Sequence, residues 1–180
     1  MRIISGEKRG AKLITLSGDD TRPTTDRVKE SLFNIIQFSI RGARVLDLFA
    51  GSGGLGLECI SRGAEYACFT DVNSEAVKIV NSNIEKLGFA DRTKVVCGDY
   101  TRMLSGSEKY DIIFLDPPYA SDYIQKALEL IKNNNVLTPR GIVVCETIKD
   151  KQLNTDGFNT KKDVSYGITR LVFLEVPGDE

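Results

Sequence analysis

A chain of 180 residues is long enough for one well-packed domain and too short for two of ordinary size. A hydrophobic content of 41%, a charged content of 27% and a net charge of −1 are typical of a globular protein, and no apolar run reaches transmembrane length. Four cysteines without a CxxC pair and the lack of histidine argue against a zinc site. We expect a cytoplasmic monomer with reduced cysteines, no metal and no membrane partner.

The charge is unevenly distributed along the chain. The first 44 residues contain nine Lys or Arg and five Asp or Glu, a net charge of +4, whereas the remainder contains fifteen and twenty, a net charge of −5. A basic N-terminal segment on an acidic body predicts contact with a polyanion near the start of the chain. The alternative is a solvated surface whose charge is simply uneven.

The N-terminal residues predict a small β-hairpin. Two β-like runs, Arg2 to Ser5 and Lys12 to Leu16, flank the sequence GEKRG. Glycines at both ends of a charged tip favour a hairpin that displays Lys8 and Arg9.

A helix is predicted after this hairpin. Thr24 or Thr25 can cap its N-terminus, and Gly42 ends it. Its buried face is the apolar stripe Val28, Leu32, Ile35 and Ile36. Arg27 and Lys29 fall outside this stripe. We expect a single domain over residues 1–180, in which a basic hairpin and helix (1–41) precede a catalytic core (42–180).

Strands and helices then alternate through the core. Apolar runs predict strands beginning near 44 and at 66–70, 93–97, 110–115 and 142–146. Amphipathic helices follow the first, second and fourth of them, and residues 161–166 and 168–176 form a closing antiparallel hairpin around Gly167. Repeated strand–helix units predict an α/β fold with a doubly wound, mostly parallel sheet. Ligands of such a sheet bind at the carboxyl ends of its strands.

A glycine-rich turn follows the first core strand. Gly51, Gly53 and Gly56 spell GxGxxG within VLDLFAGSGGLG, and Asp71 ends the next apolar run. An acid about 20 residues after such a turn is typical of a nucleotide site, where it binds the ribose hydroxyls. The alternative is a turn that packs a helix on a strand and holds no ligand.

Asp47 distinguishes between possible nucleotides. It lies inside the strand, four positions before Gly51, where its carboxylate can point toward the turn. That charge would repel a pyrophosphate at the helix N-terminus but attract a cation. S-adenosylmethionine carries a sulfonium, an ammonium and a ribose, and no phosphate. The turn therefore favours S-adenosylmethionine over a dinucleotide. Asp99 and Asp116 are predicted to lie at the same edge of the sheet, where carboxylates suit a cationic ligand.

The sequence DPPY, Asp116 to Tyr119, follows the apolar run IIFL. The prolines restrict the backbone, so that the Pro117 carbonyl and the Asp116 carboxylate can offer two acceptors to an exocyclic amine. Tyr119 offers a face on which a base can stack. This pattern predicts methyl transfer to an amino group by in-line attack, which needs positioning rather than a histidine. The alternative is a proline turn with a capping aspartate. No cysteine stands where base-carbon methylation would need one.

The motifs DLFAGSG and LDPPY resemble those of the Rossmann-like (class I) amino methyltransferases that use S-adenosylmethionine. The segments RIISGEKRGAKL, RPTTDRVKESLFNII and LGLECISRGA are similar to the RsmD-type small-subunit ribosomal RNA guanine methyltransferases, and the resemblance covers nearly the whole chain. It implies methylation of the exocyclic amine (N2) of one guanine in bacterial 16S ribosomal RNA, with that RNA or the small ribosomal subunit as the partner.

The resemblance also implies roles for individual residues. The catalytic residues that hold the target amine would be Asp116, Pro117, Pro118 and Tyr119. The cofactor residues would be Asp47, Gly51 and Gly53 toward the methionine end, Asp71 at the ribose, and Val72, Asn73, Asp99 and Tyr100 around the adenosine. Phe49 would also bind the cofactor. The residues that contact the RNA would be Lys8, Arg9, Arg22, Thr24, Arg27 and Tyr119.

Four other functions remain open at this stage. A DNA adenine methyltransferase shares DPPY but usually has an added target-recognition region, for which 180 residues leave little room. A protein amide methyltransferase would have Asn in place of Asp116. An NAD-dependent oxidoreductase would use the glycine turn differently, and a noncatalytic RNA-binding module would bind cofactor without methylating RNA.

Overall fold

A seven-stranded sheet runs through the part of the chain described by the computed structural model, residues 1–16 and 25–178. Its strands are β1 Arg44–Asp47, β2 Tyr66–Asp71, β3 Thr93–Cys97, β4 Tyr110–Leu115, β5 Leu137–Ile148, β6 Asn159–Tyr166 and β7 Thr169–Glu175. Their order across the sheet is β3-β2-β1-β4-β5-β7-β6. The first five strands are parallel, and β7 pairs antiparallel with both β5 and β6.

Helices cover both faces of this sheet. They are α1 Asp26–Ile40, α2 Gly54–Ser61, α3 Ser74–Leu87, α4 Tyr100–Leu104 and α5 Tyr123–Asn134. Alternate residues of β4 enter different cores: Ile112 and Phe114 pack with α1, α2 and α3, whereas Ile113 and Leu115 pack with α4 and α5. A parallel sheet buried on both sides in this way is the doubly wound fold that the sequence predicts.

Two core elements differ from the sequence prediction. Strand β5 begins at Leu137 rather than at the predicted residue 142. Gly141 therefore lies inside the strand, where an added Cβ would lie 2.6 Å from the Leu137 side chain. The five-residue helix α4 was not predicted, because it is too short to show a helical period. The Asp99 side chain caps it by accepting the N–H of Thr101 at 2.8 Å.

The predicted N-terminal hairpin is a narrow antiparallel pair that is reduced to one β-bridge, between Arg2 and Lys12. Backbone hydrogen bonds on either side keep its arms together: the N–H of Ile3 donates to the carbonyl of Ala11 at 2.9 Å, and the N–H of Gly10 donates to that of Ile3 at 2.8 Å. The charged tip predicted by the glycine spacing is therefore present.

Buried charges fix this hairpin to helix α2. The fully buried Glu58 carboxylate accepts the N–H groups of Ile4 and Ser5 at 2.8 and 2.9 Å. It also forms ion pairs with Lys29 (3.1 Å) and Arg62 (2.8 Å). Burial lowers the pKa of Lys29, an effect that the charge of Glu58 opposes.

The prediction that Lys29 lies outside the buried face of α1 is wrong, since its side chain is 1% exposed. Lys29 lies three and four residues before Leu32 and Phe33, on the same side of the helix.

The close approach of hairpin and helix predicts different effects of alanine at Gly6 and Gly10. Both have a positive φ, +88° and +84°, but a Cβ on Gly6 would lie 1.8 Å from the Ser61 carbonyl oxygen, and a Cβ on Gly10 would meet nothing within 4 Å. Gly10→Ala should cost about 1–2 kcal/mol of backbone strain. Gly6→Ala should cost about 1–3 kcal/mol more, because the hairpin must move away. Urea unfolding of both variants measures this difference, and equal losses of stability would contradict the account.

Candidate functional site

The carboxyl ends of β1, β4 and β5 lie side by side at one edge of the sheet. Strand β4 pairs with β1 on one side and with β5 on the other, with Phe114 opposite Asp47 and Leu115 opposite Cys145. Asp116, which directly follows β4, and Glu146, near the end of β5, therefore lie on neighbouring strands close to Asp47. In a doubly wound sheet, which the sequence predicts, the fourth strand lies beside the first, and the structure has this arrangement.

Asp47, the last residue of β1, is buried, with 2% of its surface exposed. Its Oδ2 accepts the backbone N–H of Gly56 in the first turn of α2 at 3.1 Å. Burial raises the pKa of Asp47 to about 7, the charge of Asp71 adds to this effect, and the Gly56 hydrogen bond opposes it. A cation beside this group would favour its charged form.

The glycine turn brings backbone, rather than side chains, to the region beside Asp47. Gly53 caps α2 in the left-handed conformation with φ +82°. Gly56 allows α2 to pack on β2, because a Cβ there would lie 2.3 Å from the ring of Phe69. The third glycine of the motif is thus a packing residue.

Asp71 connects the glycine turn to the start of α3. Its Oδ2 accepts the N–H of Gly51 at 3.0 Å, and its Oδ1 accepts the N–H of Asn73 at 2.9 Å. Each carboxylate oxygen has more than one acceptor site, so both can still bind hydroxyl groups. Val72 beside it is 70% exposed. Asn73 caps α3 by accepting the N–H of Glu75 at 2.9 Å.

Three aromatic rings pack together near the ends of β1 and β3. The Phe49 ring lies 5.2 Å from that of Tyr100 and 5.9 Å from that of Tyr123, with which it is stacked. Asp99, one residue before Tyr100, is exposed, and its hydrogen bonds from Thr101 lower its pKa. Phe49 and Tyr100 belong to the predicted cofactor set, whereas Tyr123 on α5 was not predicted.

Asp116 and Tyr119 of DPPY lie against Glu146. The Tyr119 hydroxyl donates to Glu146 Oε1 at 3.2 Å. Burial raises the pKa of Asp116 well above its usual range, and the charges of Glu146 and Asp47 raise it further. Burial and the charge of Glu146 raise the pKa of Tyr119 to about 12.

The backbone after DPPY is held by Lys151. Its ammonium donates to the Tyr119 carbonyl oxygen at 3.0 Å and also to that of Ser121. The hydroxyl of Ser121 donates to the Pro118 carbonyl oxygen at 2.7 Å. Pro117 is buried and Pro118 is exposed. These contacts give the loop a fixed shape.

Apart from Tyr119, the predicted RNA-binding residues lie far from these carboxyl groups in sequence. Lys8 and Arg9 are exposed at the hairpin tip, and the Lys8 ammonium lies 6.0 Å from the centre of the Phe89 ring. Arg27 is exposed in the first turn of α1. Arg22 and Thr24 lie outside the described residues. Thr25 caps α1, its hydroxyl accepting the N–H of Val28 at 3.3 Å.

Sequence reasoning missed Glu146 and Lys151. A carboxylate that ends the apolar run IVVCE was a usable signal for Glu146, because it resembles the endings of β1 and β4. Lys151 gave no such signal, since its role depends on how the chain after β5 returns to the DPPY loop.

Within residues 1–16 and 25–178, no set of three or more His, Cys, Asp or Glu side chains is arranged to hold a metal ion. In the same residues, no helix has the length and apolar character needed to cross a bilayer.

The donor set fits S-adenosylmethionine. The buried Asp47 lies beside a glycine-rich turn, with Asp71 at the next strand end. The charges of Asp71 and Asp116 both interact with that of Asp47. Carboxylates in this number suit a cation with ribose hydroxyls and would repel a pyrophosphate. Together with the doubly wound sheet and its antiparallel β7, this site defines a class I methyltransferase.

Comparison with known proteins identifies the family. The family model described as Conserved hypothetical protein 95 (Cons_hypoth95) matches residues 1–175, and the chain belongs to this family, the RsmD family of the sequence resemblance. The relative YlbH of Bacillus subtilis is 40% identical over 99% of this chain and 100% of its own. Ribosomal RNA small subunit methyltransferase D of Haemophilus influenzae is 35% identical over 93% of this chain and 90% of its own.

A solved structure supports the same relationship. The Escherichia coli protein yhhF superimposes with a TM-score of 0.86 at 29% identity, covering 99% of each chain. These comparisons confirm the predicted family, the fold and the methyltransferase class with S-adenosylmethionine as its cofactor. The roles of individual site residues stay predictions.

Proposed function

We propose that this protein transfers a methyl group from S-adenosylmethionine to the exocyclic amine (N2) of a guanine in bacterial 16S ribosomal RNA, acting in the cytoplasm as a monomer. The observation that carries the proposal is the position of DPPY, which ends the strand beside the buried Asp47. The substrate is supported by the Haemophilus influenzae relative, whose name is Ribosomal RNA small subunit methyltransferase D.

The residues of DPPY would orient the amine. The Asp116 carboxylate and the Pro117 carbonyl would accept its two hydrogens and leave the nitrogen lone pair directed at the donor. S-adenosylmethionine, when bound, supplies an electrophilic methyl group. Stacking of the base on the Tyr119 ring is worth about 1–3 kcal/mol. Because attack by an oriented amine depends on alignment, positioning supplies most of the rate.

The product amine carries one proton more than it can keep at neutral pH. Asp116 lies where that proton can be accepted, and its pKa is raised by burial and by Glu146. A carboxylate whose pKa is raised is a better proton acceptor than an exposed aspartate.

Other residues would hold the cofactor. Asp47, Phe49, Gly51 and Gly53 would line its methionine end, and Asp71 would bind the ribose hydroxyls. The adenosine would lie among Val72, Asn73, Asp99 and Tyr100. Residues 1–41 would contribute the RNA contacts.

A methyl-transfer assay on three acceptors tests the substrate. Purified protein is incubated with labelled S-adenosylmethionine and small ribosomal subunits from a strain that lacks the enzyme, naked 16S RNA, or adenine-containing duplex DNA. We expect label in N2-methylguanosine of the subunits or the RNA. Label in DNA adenine would identify the other user of DPPY, a DNA methyltransferase. Cofactor binding without transfer to any acceptor would indicate a noncatalytic RNA-binding protein.

The hairpin tip makes a separate prediction about salt dependence. Lys8→Ala combined with Arg9→Ala should weaken RNA binding and reduce the slope of log K against log salt by about 1–2, because a phosphate that the protein does not neutralise keeps its counterions. Lys162→Ala is the matched control, since Lys162 is exposed on β6 at the opposite edge of the sheet from β3. Binding measured from 50 to 300 mM salt compares them, and an unchanged slope for the double variant would exclude the tip from the RNA contact.

A further inference from the structure

Glu146 is a carboxyl group buried beside the DPPY loop, and in the proposal above it acts only on the pKa of Asp116. It ends the apolar part of β5, and its residue is 3% exposed. The pairing of Leu115 with Cys145 places it next to Asp116 on the neighbouring strand. Its Oε1 accepts the Tyr119 hydroxyl at 3.2 Å.

A second carboxyl group at this location is energetically unfavourable. A buried carboxylate is unfavourable, and placing one beside another adds repulsion. Among the neighbouring charges, that of Glu146 has the largest effect in raising the pKa of Asp116. The same charge also raises the pKa of Tyr119. An apolar residue at this position of β5 would avoid both costs, so stability alone does not explain the acid.

The hydrogen bond offers an explanation. A tyrosine side chain can rotate about its Cα–Cβ and Cβ–Cγ bonds. Fixing the hydroxyl oxygen sets the first rotation, and because a phenolic O–H prefers the plane of its ring, donating it to Glu146 restrains the second. The Thr169 side chain at the start of β7 lies near the same hydroxyl and acts to lower the pKa of Tyr119. Lys151 fixes the backbone of the same residue. Tyr119 is thus held at both ends.

We propose that Glu146 is a positioning residue of the methyl-transfer site, which binds the Tyr119 hydroxyl and so holds the Tyr119 ring in the orientation that stacks on the target base. This inference rests on the proposed function, in which Tyr119 contacts the base. It explains why the aromatic residue carries a hydroxyl, which stacking does not require.

A double-mutant cycle tests the coupling. Glu146→Ala and Tyr119→Phe should each lower kcat for RNA about 10–100-fold while changing the affinity for S-adenosylhomocysteine by less than twofold. Since both remove the same hydrogen bond, the double variant should be no slower than the slower single variant. Glu146→Gln keeps an acceptor oxygen and should retain activity within about threefold. Glu129→Ala, an exposed position on α5, is the matched control and should behave as wild type. Losses that multiply in the double variant would overturn the inference.

A second measurement is independent of the reaction. With 3-fluorotyrosine incorporated, the ¹⁹F resonance that disappears in Tyr119→Phe belongs to Tyr119. It should be a single sharp line in wild type and in Glu146→Gln, and broadened or split in Glu146→Ala. An unchanged line in Glu146→Ala would overturn the inference even if the RNA is not the substrate. A wild-type protein that shows this ordering but does not methylate RNA would contradict only the proposed function. If Glu146→Ala does not fold, Glu146→Gln becomes the test. A broadened Tyr119 line in Glu146→Gln would then exclude positioning by the hydrogen bond.

Discussion

Replacing Asp116 by asparagine is expected to lower kcat for methyl transfer about 10²–10³-fold, the range seen when one preorganised polar group that binds the reacting atoms is removed. The amide has one acceptor oxygen instead of a carboxylate, and it cannot take the proton that the amine releases. The affinity for S-adenosylhomocysteine should stay within about threefold of wild type, since Asp116 is assigned to the amine. Labelled methyl transfer and titration calorimetry give the two quantities.

The control for this variant is Asp122→Asn. Asp122 is exposed, precedes α5 and forms no side-chain capping bond with that helix. The Asp122→Asn variant should methylate RNA at the wild-type rate. Equal losses of transfer and of cofactor binding in Asp116→Asn would contradict the assignment of Asp116 to the amine and favour a role at the cofactor.

Asp47→Asn is expected to separate cofactor binding from stability. Removing the buried charge should weaken binding of S-adenosylmethionine about 10–100-fold, equivalent to about 1.4–2.8 kcal/mol. The same substitution should stabilise the cofactor-free protein at pH 8 by roughly 1–3 kcal/mol, because one pKa unit corresponds to about 1.4 kcal/mol. Both effects are expected of a group that improves ligand binding while lowering the stability of the folded protein.

The pH dependence of this stability difference has a definite sign. Burial raises the pKa of Asp47 from 3.8 to about 7 in the folded protein. Between these values the folded state binds more protons than the unfolded state, so wild type loses stability as the pH rises from 4 to 7. Asn does not titrate, and its advantage should therefore be small at pH 4 and complete above about pH 7.

Urea unfolding at pH 5 and pH 8 measures that difference. The exposed Asp91, in the 3₁₀ turn Ala90–Arg92, provides the control Asp91→Asn, which should show no comparable pH dependence. An Asp47→Asn variant that is less stable than wild type at pH 8, or that binds cofactor normally, would contradict the account of this carboxyl group.

The site could be predicted where chemistry is encoded locally. The strand that ends in Asp47 and the glycine turn that follows it lie in one stretch of sequence. The prolines beside Asp116 restrict their own backbone. Repeated strand–helix units then predict that β4 lies beside β1, which places DPPY near Asp47 without knowledge of any side-chain contact.

What could not be predicted depends on distant segments meeting. Glu146 acquires its importance from the register of β5 on β4 and from the return of Tyr119 toward it. In the sequence, Glu58 and Lys29 resemble ordinary charged helix residues. Their role depends on the hairpin, whose backbone N–H groups donate to Glu58. Such contacts join residues more than 25 positions apart, and the local spacing of charges does not reveal them.

The central claim is that carboxyl groups at one edge of the sheet hold a cationic methyl donor beside an amine-binding loop. A crystal structure of the protein with S-adenosylhomocysteine tests it most directly. The account predicts that the ribose hydroxyls bind Asp71 and that the sulfur lies between Asp47 and Asp116, facing the DPPY loop. A ligand bound elsewhere, or one whose sulfur points away from Asp116, would contradict it.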